Sequence, residues 1–442
     1  MARMLGIVAV LVAIAVAWLP ARADPAALAG PEAPAAPAAT FQIQYTTPAN
    51  GGACTGLGNG GTILDFPPAR QAELEAATAA WGAVISSSVP IVVQACWASA
   101  LYDPGALGTG APTTYALNPS GAIFSDTFYP IALANARAGA DLAPGQTDMV
   151  LTFLTGNPIF GTALHELGHG LGFEGRIDVT GGPGANMAAC SSTISMWSPH
   201  GSCPTPYDRL ATDGAGRLLL SYNLFLWNEG DPSGSPLEVG AKLTSGGDAY
   251  LGGPNASIQN GGNRVKLYTP YNWTNSSYSH VDNLPGYDAL MEPTGGANGV
   301  GPITTAMMRD LGWPLTSAYH QVDISGAATA QPGVPITLTA TYSPSGAANP
   351  TSITWTATDQ TDYTHTPSGK TDQKTYTWAT AGKKRIIVTA TGSTGQVAGL
   401  FEVNVATSAT ATPTATVSPT RTPTPTPTAT PRSRSFLPFI RK

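Results

Sequence analysis

Near its middle the chain carries His165-Glu166-Leu167-Gly168-His169-Gly170-Leu171-Gly172, a segment that few folds accommodate. Two histidines four residues apart project from one face of a helix, a single turn apart. Imidazoles so placed can take two positions of a tetrahedral zinc ion at ~2.0–2.1 Å. Glu166 follows the first of them and can face water at the metal as a general base. The chain has only six histidines, so this arrangement is improbable by chance. Three glycines at roughly 1 kcal/mol each would weaken an ordinary surface helix. They predict a packing or site reason for the segment instead.

Two histidines do not complete a catalytic zinc site; a third protein ligand is required. The segment resembles the metzincin pattern His-Glu-x-x-His-x-x-Gly-x-x-His, which His165, Glu166, His169 and Gly172 match. The last position departs from it, because Gly175 stands there. The best candidate elsewhere is His280, in Ser279-His280-Val281-Asp282, with Met291 eleven residues later in Ala289-Leu290-Met291-Glu292-Pro293. This combination is similar to the leishmanolysin branch of the metzincins. There the third histidine is displaced by an insertion after the glycine, and a Met-containing turn follows it.

The resemblance spans roughly residues 41–316 and implies an α+β metzincin-like domain. It also implies one catalytic Zn2+ on His165, His169 and His280, with Met291 as the hydrophobic floor beneath it. Asp178, His200 and Asp208 remain alternatives for the third ligand. Asp282 is close enough in sequence to orient an imidazole, though a solvated loop carboxylate is the simpler reading. Some metzincins place a tyrosine two residues past the methionine; Pro293 stands there, so no such role follows.

The activity implied is that of a zinc endopeptidase acting on a protein or peptide substrate. Glu166 would take a proton from the water that attacks the peptide carbonyl and pass it to the leaving amine. The alternative is a secreted adhesion or binding protein with a structural or degenerate zinc site. The retained Glu166 speaks against it, since a structural site needs no base there.

The ends of the chain point outside the cell. Arg3, the apolar run Met4 to Leu19 and Ala21-Arg22-Ala23 read as a signal peptide over 1–23. The run is shorter than the ~20 residues of a spanning helix, and no other segment is long and apolar enough. Secretion makes the four cysteines a disulfide count. Three pairings are open; the local one, Cys54–Cys96 with Cys190–Cys203, is preferred. With 11% charged residues and a net charge of −6, nothing favours nucleic acid or an anionic membrane as partner.

Residues 24–40 are a Pro/Ala linker. Strands are expected at Phe41–Tyr45, Pro90–Cys96 and Met149–Leu154, an amphipathic helix at Ala69–Ile85 on Leu74, Ala77, Trp81 and Val84, and a closing helix at Ile303–Leu311. About a hundred residues after the first motif show weak periodicity. Over 317–406 the pattern alternates, at Ile336, Leu338 and Ala340 and at Ile353, Trp355 and Ala357, which suggests an all-β immunoglobulin-like sandwich. Tyr376 to Ala390 resembles the last strands of a PKD-type domain. The sandwich reads as a spacer, with His320 and His365 on its surface. Residues 407–442 form a Thr/Pro-rich stalk with an apolar-basic tip, which leaves cell-surface association open.

Overall fold

The computed structural model describes residues 37–50, 54–58, 60–177, 204–221, 238–244, 246–274, 277–295, 297–317, 319–393 and 395–406. The signal segment, most of the 24–40 linker, Asp178, Cys190, His200, Cys203 and the 407–442 stalk lie outside them. The described residues, up to Ala406, belong to one compact unit. The described part is mixed α/β with many strands.

The N-terminal elements run β1 (Phe41–Tyr45), β2 (Ile63–Leu64), α1 (Pro68–Gly82), β3 (Ile91–Ala98), β4 (Gly108–Pro112), β5 (Tyr115–Leu117), β6 (Phe128–Pro130), α2 (Ile131–Ala138), β7 (Met149–Leu154) and α3 (Phe160–Gly170). The main sheet is ordered β1-β3-β7-β4, with β2 also paired to β3. β1, β3 and β7 are parallel, and β4 closes the row antiparallel to β7. β3 and β7 are buried along nearly their whole length. Continuous apolar runs rather than alternation are what central parallel strands require.

Helix α1 opens on Pro68 and buries Leu74, Ala77 and Trp81, three to four residues apart. Val84 is buried too, but just beyond the helix end at Gly82. The Trp81 indole donates to the Leu164 carbonyl of α3 at 3.0 Å, and Trp313 to Leu171 at 2.8 Å. Two large buried side chains thus grip α3 from different parts of the chain.

The weakly periodic region holds α4 (Pro206–Leu210), β8 (Ala211–Asp213), α5 (Glu238–Leu243), β9 (Ala249–Leu251), α6 (Pro254–Gln259) and β10 (Val265–Lys266). β10, β9 and β8 form a small sheet in that order. None of these elements exceeds six residues, too short for a helical period to show in sequence. A 3-10 turn, Gly286–Met291, precedes α7 (Pro302–Leu311), which stops at Gly312 with φ +113°. Asp288 of the turn accepts the Ile303 and Thr304 N–H groups, so the turn is fixed to the start of α7.

The C-terminal strands are β11 (Gln321–Ser325), β12 (Thr329–Ala330), β13 (Ile336–Ser343), β14 (Ser352–Ala357), β15 (Tyr363–His365), β16 (Thr371–Tyr376), β17 (Gly382–Gly392) and β18 (Gly395–Val405). They form two sheets, β11-β13-β16 and β12-β18-β17-β14-β15, around a shared core that includes Leu338, Trp355, Trp378 and Val388. β13 and β14 alternate buried and less buried positions as the sequence pattern requires.

Two sequence expectations change here. His320 is buried rather than on the surface, with its Nδ1 bonded to the Tyr342 hydroxyl. The sandwich is also not a detached spacer. Glu402 of β18, 5% exposed, meets Arg209 and Lys383, each at 3.3 Å, and accepts from the Ser125 hydroxyl. Asn255 of α6 pairs with both backbone groups of Ala398 at 2.9 Å. Arg309 of α7 donates to the Val322 carbonyl and to Asp323. Polar groups this buried are costly unless they stay paired.

Removing one partner of a buried ion pair typically costs ~3 kcal/mol or more. Glu402→Ala is therefore expected to lower the urea midpoint of the whole chain by an amount corresponding to about 3 kcal/mol. An unchanged midpoint would show that the sandwich folds independently of this contact.

Candidate metal centre

α3 positions the first motif. Its end is a Schellman motif, in which Phe173 N–H reaches the Gly168 carbonyl at 3.0 Å and Gly172 N–H the His169 carbonyl at 2.9 Å. Gly172 sits at φ +107°, a left-handed conformation that glycine adopts freely. The other two glycines answer to packing. A Cβ on Gly168 would lie 2.5 Å from the Met291 sulfur, and one on Gly170 would lie 2.6 Å from the Met149 sulfur. Both sulfurs press on the helix backbone where any larger residue would hold them off.

His165 and His169 are buried and their rings have fixed tautomers. His165 Nδ1 lies 2.6 Å from the Leu290 carbonyl, and His169 Nδ1 lies 2.8 Å from the Phe173 carbonyl. A carbonyl only accepts, so each Nδ1 carries the hydrogen and each Nε2 presents a lone pair. Those Nε2 atoms are 3.0 Å apart. His280 brings its own Nε2 to 3.1 Å from His165 and 3.2 Å from His169.

His280 is held by a short antiparallel contact. Its carbonyl accepts from Tyr268 N–H at 2.9 Å, and Val281 N–H donates to Met291 at 2.9 Å. The turn ending at Met291 thus touches both sides of the site. Leu290 fixes His165, Met291 fixes the residue after His280, and the fully buried Met291 side chain packs beneath α3.

This donor set fits a metal ion. At least the His165–His169 contact sets two lone pairs face to face, which repel unless a cation lies between them. Protonation does not relieve this, because burial lowers the pKa of both rings. Nitrogens 3.0–3.2 Å apart, each ~2.05 Å from one ion, subtend about 100° at it, close to tetrahedral. Among the described residues these three histidines are the group able to hold a metal ion.

Glu166 is outside that group and buried beside it. Gly110 N–H bonds to it, and a Cβ on Gly108 would come within 3.1 Å of its Oε1. On Gly110 a Cβ would meet the Glu166 carbonyl at 2.3 Å. β4 therefore lies flush on α3 only because glycines occupy both positions. The Gly-Thr-Gly run of β4 carries no signal of a site in the sequence, because short Gly repeats near strands are common.

The remaining candidates fall elsewhere. Asp208 caps α4 in a reciprocal box with Thr205 and receives the Arg176 N–H and the Tyr278 hydroxyl, not a metal. Asp282 pairs with Lys266 at 2.7 Å rather than orienting a histidine. Cys54 and Cys96 are bridged, tying the segment before β2 to the central strand β3.

Burial pushes the Glu166 carboxyl up to about 8 from 4.5, opposed by the Gly110 N–H. Without metal, the folded chain keeps a proton there that the unfolded chain releases, so this group makes stability fall as pH rises from about 4.5 to about 8. Below about 6.5 the depressed histidines act in the opposite sense, since only the unfolded chain protonates them. Between pH ~6.5 and ~8 the metal-free protein is expected to lose stability, and Glu166→Gln to flatten that slope. A urea midpoint that holds level or rises across this window in the metal-free wild type would refute the assignment.

No protein family matches the chain, and no curated protein matches it. Among solved structures, it is similar over 19% of its length to the PKD domain of an M14-like peptidase from a Thermoplasmatales archaeon, with 18% identity, 92% of that chain covered and a TM-score of 0.16. Over 20% of its length it is similar to a CARDB domain from Pyrococcus furiosus, with 15% identity, 87% of that chain covered and a TM-score of 0.17. A third similarity, also over 20%, is to the PKD domain of the human VPS10 domain-containing receptor SorCS2, with 20% identity, 73% of that chain covered and a TM-score of 0.18.

Proposed function

We propose that this chain is a secreted zinc-dependent endopeptidase of the metzincin type, closest in arrangement to the leishmanolysin branch. The observation that carries the reading is the convergence of three histidine Nε2 atoms beside a buried carboxylate that is not one of the ligands. A purely structural site gains nothing from burying an acid at that place with one backbone N–H on it, and burial of such a group costs free energy.

His165, His169 and His280 would hold the ion, and the Leu290 and Phe173 carbonyls keep two of the rings turned towards it. When bound, zinc supplies a Lewis acid that acidifies water and polarises a carbonyl. Glu166 has the properties of the general base. Burial raises its pKa in the metal-free chain and a bound cation would lower it again, so the carboxylate could take a proton from water and return it to the leaving amine. The Gly110 N–H bond holds the carboxylate in place between these steps.

A peptide substrate suits the surroundings. β4 is the edge strand of the main sheet and lies against the Glu166 side of α3. Among the described residues no strand pairs with its outer edge, where the Gly108 N–H and the strand carbonyls could meet an extended chain added as a further strand. Export rests on the 1–23 segment.

Two variants test the reading on the full-length protein. Glu166→Gln is expected to retain zinc while casein hydrolysis falls by about 10²–10⁴-fold. His280→Ala is expected to lose both zinc affinity and hydrolysis. Full hydrolysis by Glu166→Gln would remove the base assignment; zinc binding without any hydrolysis in the wild type would leave a structural site in a binding protein.

A further inference from the structure

Gly175 marks the place where the sequence pattern would have put a third histidine. A Cβ there would lie 2.1 Å from Cε1 of Tyr278 and 2.5 Å from its Cδ1. The ring of Tyr278 thus lies on the Gly175 backbone, and His280 follows two residues later. The space beside Gly175 is taken by the loop that delivers His280 from elsewhere in the chain.

Tyr278 is held on every side. Its hydroxyl donates to Asp208 Oδ1 at 3.0 Å, its N–H to the Tyr268 carbonyl at 2.7 Å, and its carbonyl accepts from the Tyr207 hydroxyl. The same Asp208 oxygen accepts the Arg176 N–H at 2.9 Å, so one carboxylate joins the segment after α3 to the His280 loop. Ser279 repeats the link, receiving the Gly175 N–H at 3.1 Å. Tyr207 stacks edge-on against both Tyr278 and Phe173, and the Phe173 carbonyl orients His169.

Tyr278 also sits at φ +68°, in the left-handed region that a bulky L-residue rarely adopts. Such a conformation persists only where its surroundings over-determine it, and it concentrates at functional sites. A loop needing only to cover the protein would relax to an ordinary backbone or place glycine there. Here the strained backbone turns the ring down onto Gly175 while the chain continues to His280.

We infer that Tyr278, clamped by Asp208 and seated on Gly175, is the positioning residue that fixes His280 as third ligand. The inference rests on the reading that His165, His169 and His280 hold one ion. The clamp substitutes for the local turn that would otherwise carry a ligand at position 175, joining ligand loops 111 residues apart.

The test is Zn2+ affinity of the full-length protein, measured by competition with a chromogenic chelator and paired with the melting temperature of the metal-free form. Tyr278→Phe keeps the ring and removes the bond to Asp208. It is expected to weaken Zn2+ binding about tenfold or more, in the range found when groups supporting a ligand are removed. In a His280→Ala background the same change is expected to leave Zn2+ affinity unaltered, because the ligand it positions is gone. Gly175→Ala, which displaces the ring, is expected to behave like Tyr278→Phe and serves if that variant does not fold.

Unchanged affinity in Tyr278→Phe, or an equal loss with and without His280, overturns the positioning role while leaving the metal site intact. A wild type that binds no Zn2+, or a His280→Ala variant that binds as tightly as wild type, overturns the ligand reading and this inference with it.

Discussion

Two backbone carbonyls, those of Leu290 and Phe173, set the terms for everything around the three-histidine cluster. By accepting from Nδ1 of His165 and His169 they force the lone pairs on Nε2 inwards, to a separation of 3.0 Å. Facing lone pairs in a buried site repel strongly at low effective dielectric. The arrangement is stable only with a cation between the rings or with enough packing around them to resist the repulsion. The surrounding structure supplies that packing from distant parts of the chain. Trp81 and Trp313 hold α3, Met291 and Met149 lie against its glycines, and the turn carrying Leu290 is fixed to α7 through Asp288.

Glycine serves here as a device for close approach. At Gly168 and Gly170 it admits sulfur against the helix, at Gly108 and Gly110 it brings β4 onto Glu166, and at Gly175 it admits the ring of Tyr278. The contacts at Gly108 and Gly110 exclude water from Glu166 and raise the cost of leaving it charged. That is the physical origin of its elevated pKa. The helix accepts weak intrinsic propensity at its glycines because tertiary contacts outweigh it.

The C-terminal sandwich takes part in the same construction. α7 carries Arg309 and Asp310 at its end. Arg309 reaches β11, while Asp310 accepts the Asn255 and Ala256 N–H groups at the start of α6, whose Asn255 pairs with Ala398 of β18. The helix anchored to the turn beneath His165 is therefore also anchored to the sandwich. A domain that the sequence suggests is a spacer shares its hydrogen bonds with the body that carries the three-histidine cluster.

Much of this was legible in the residues alone. Continuous apolar runs marked β3 and β7, three-to-four spacing marked α1, and strict alternation marked the sandwich, because these patterns are local and each follows from one element burying one face. The His165–Glu166–His169 spacing put two rings on one helix face with an acid beside them for the same reason. The choice of His280 rested on resemblance and on Met291, and only the folded chain brings its Nε2 within 3.2 Å of the others, across a separation of 115 residues from His165. What no local pattern contains are the contacts that orient rather than bury: the carbonyl partners of the imidazoles, the glycines under β4, the Tyr278 clamp and the buried Glu402 contacts. Sequence determines which faces must be covered. Which side chain covers them, and in what orientation, is decided only when segments remote along the chain compete for the same space.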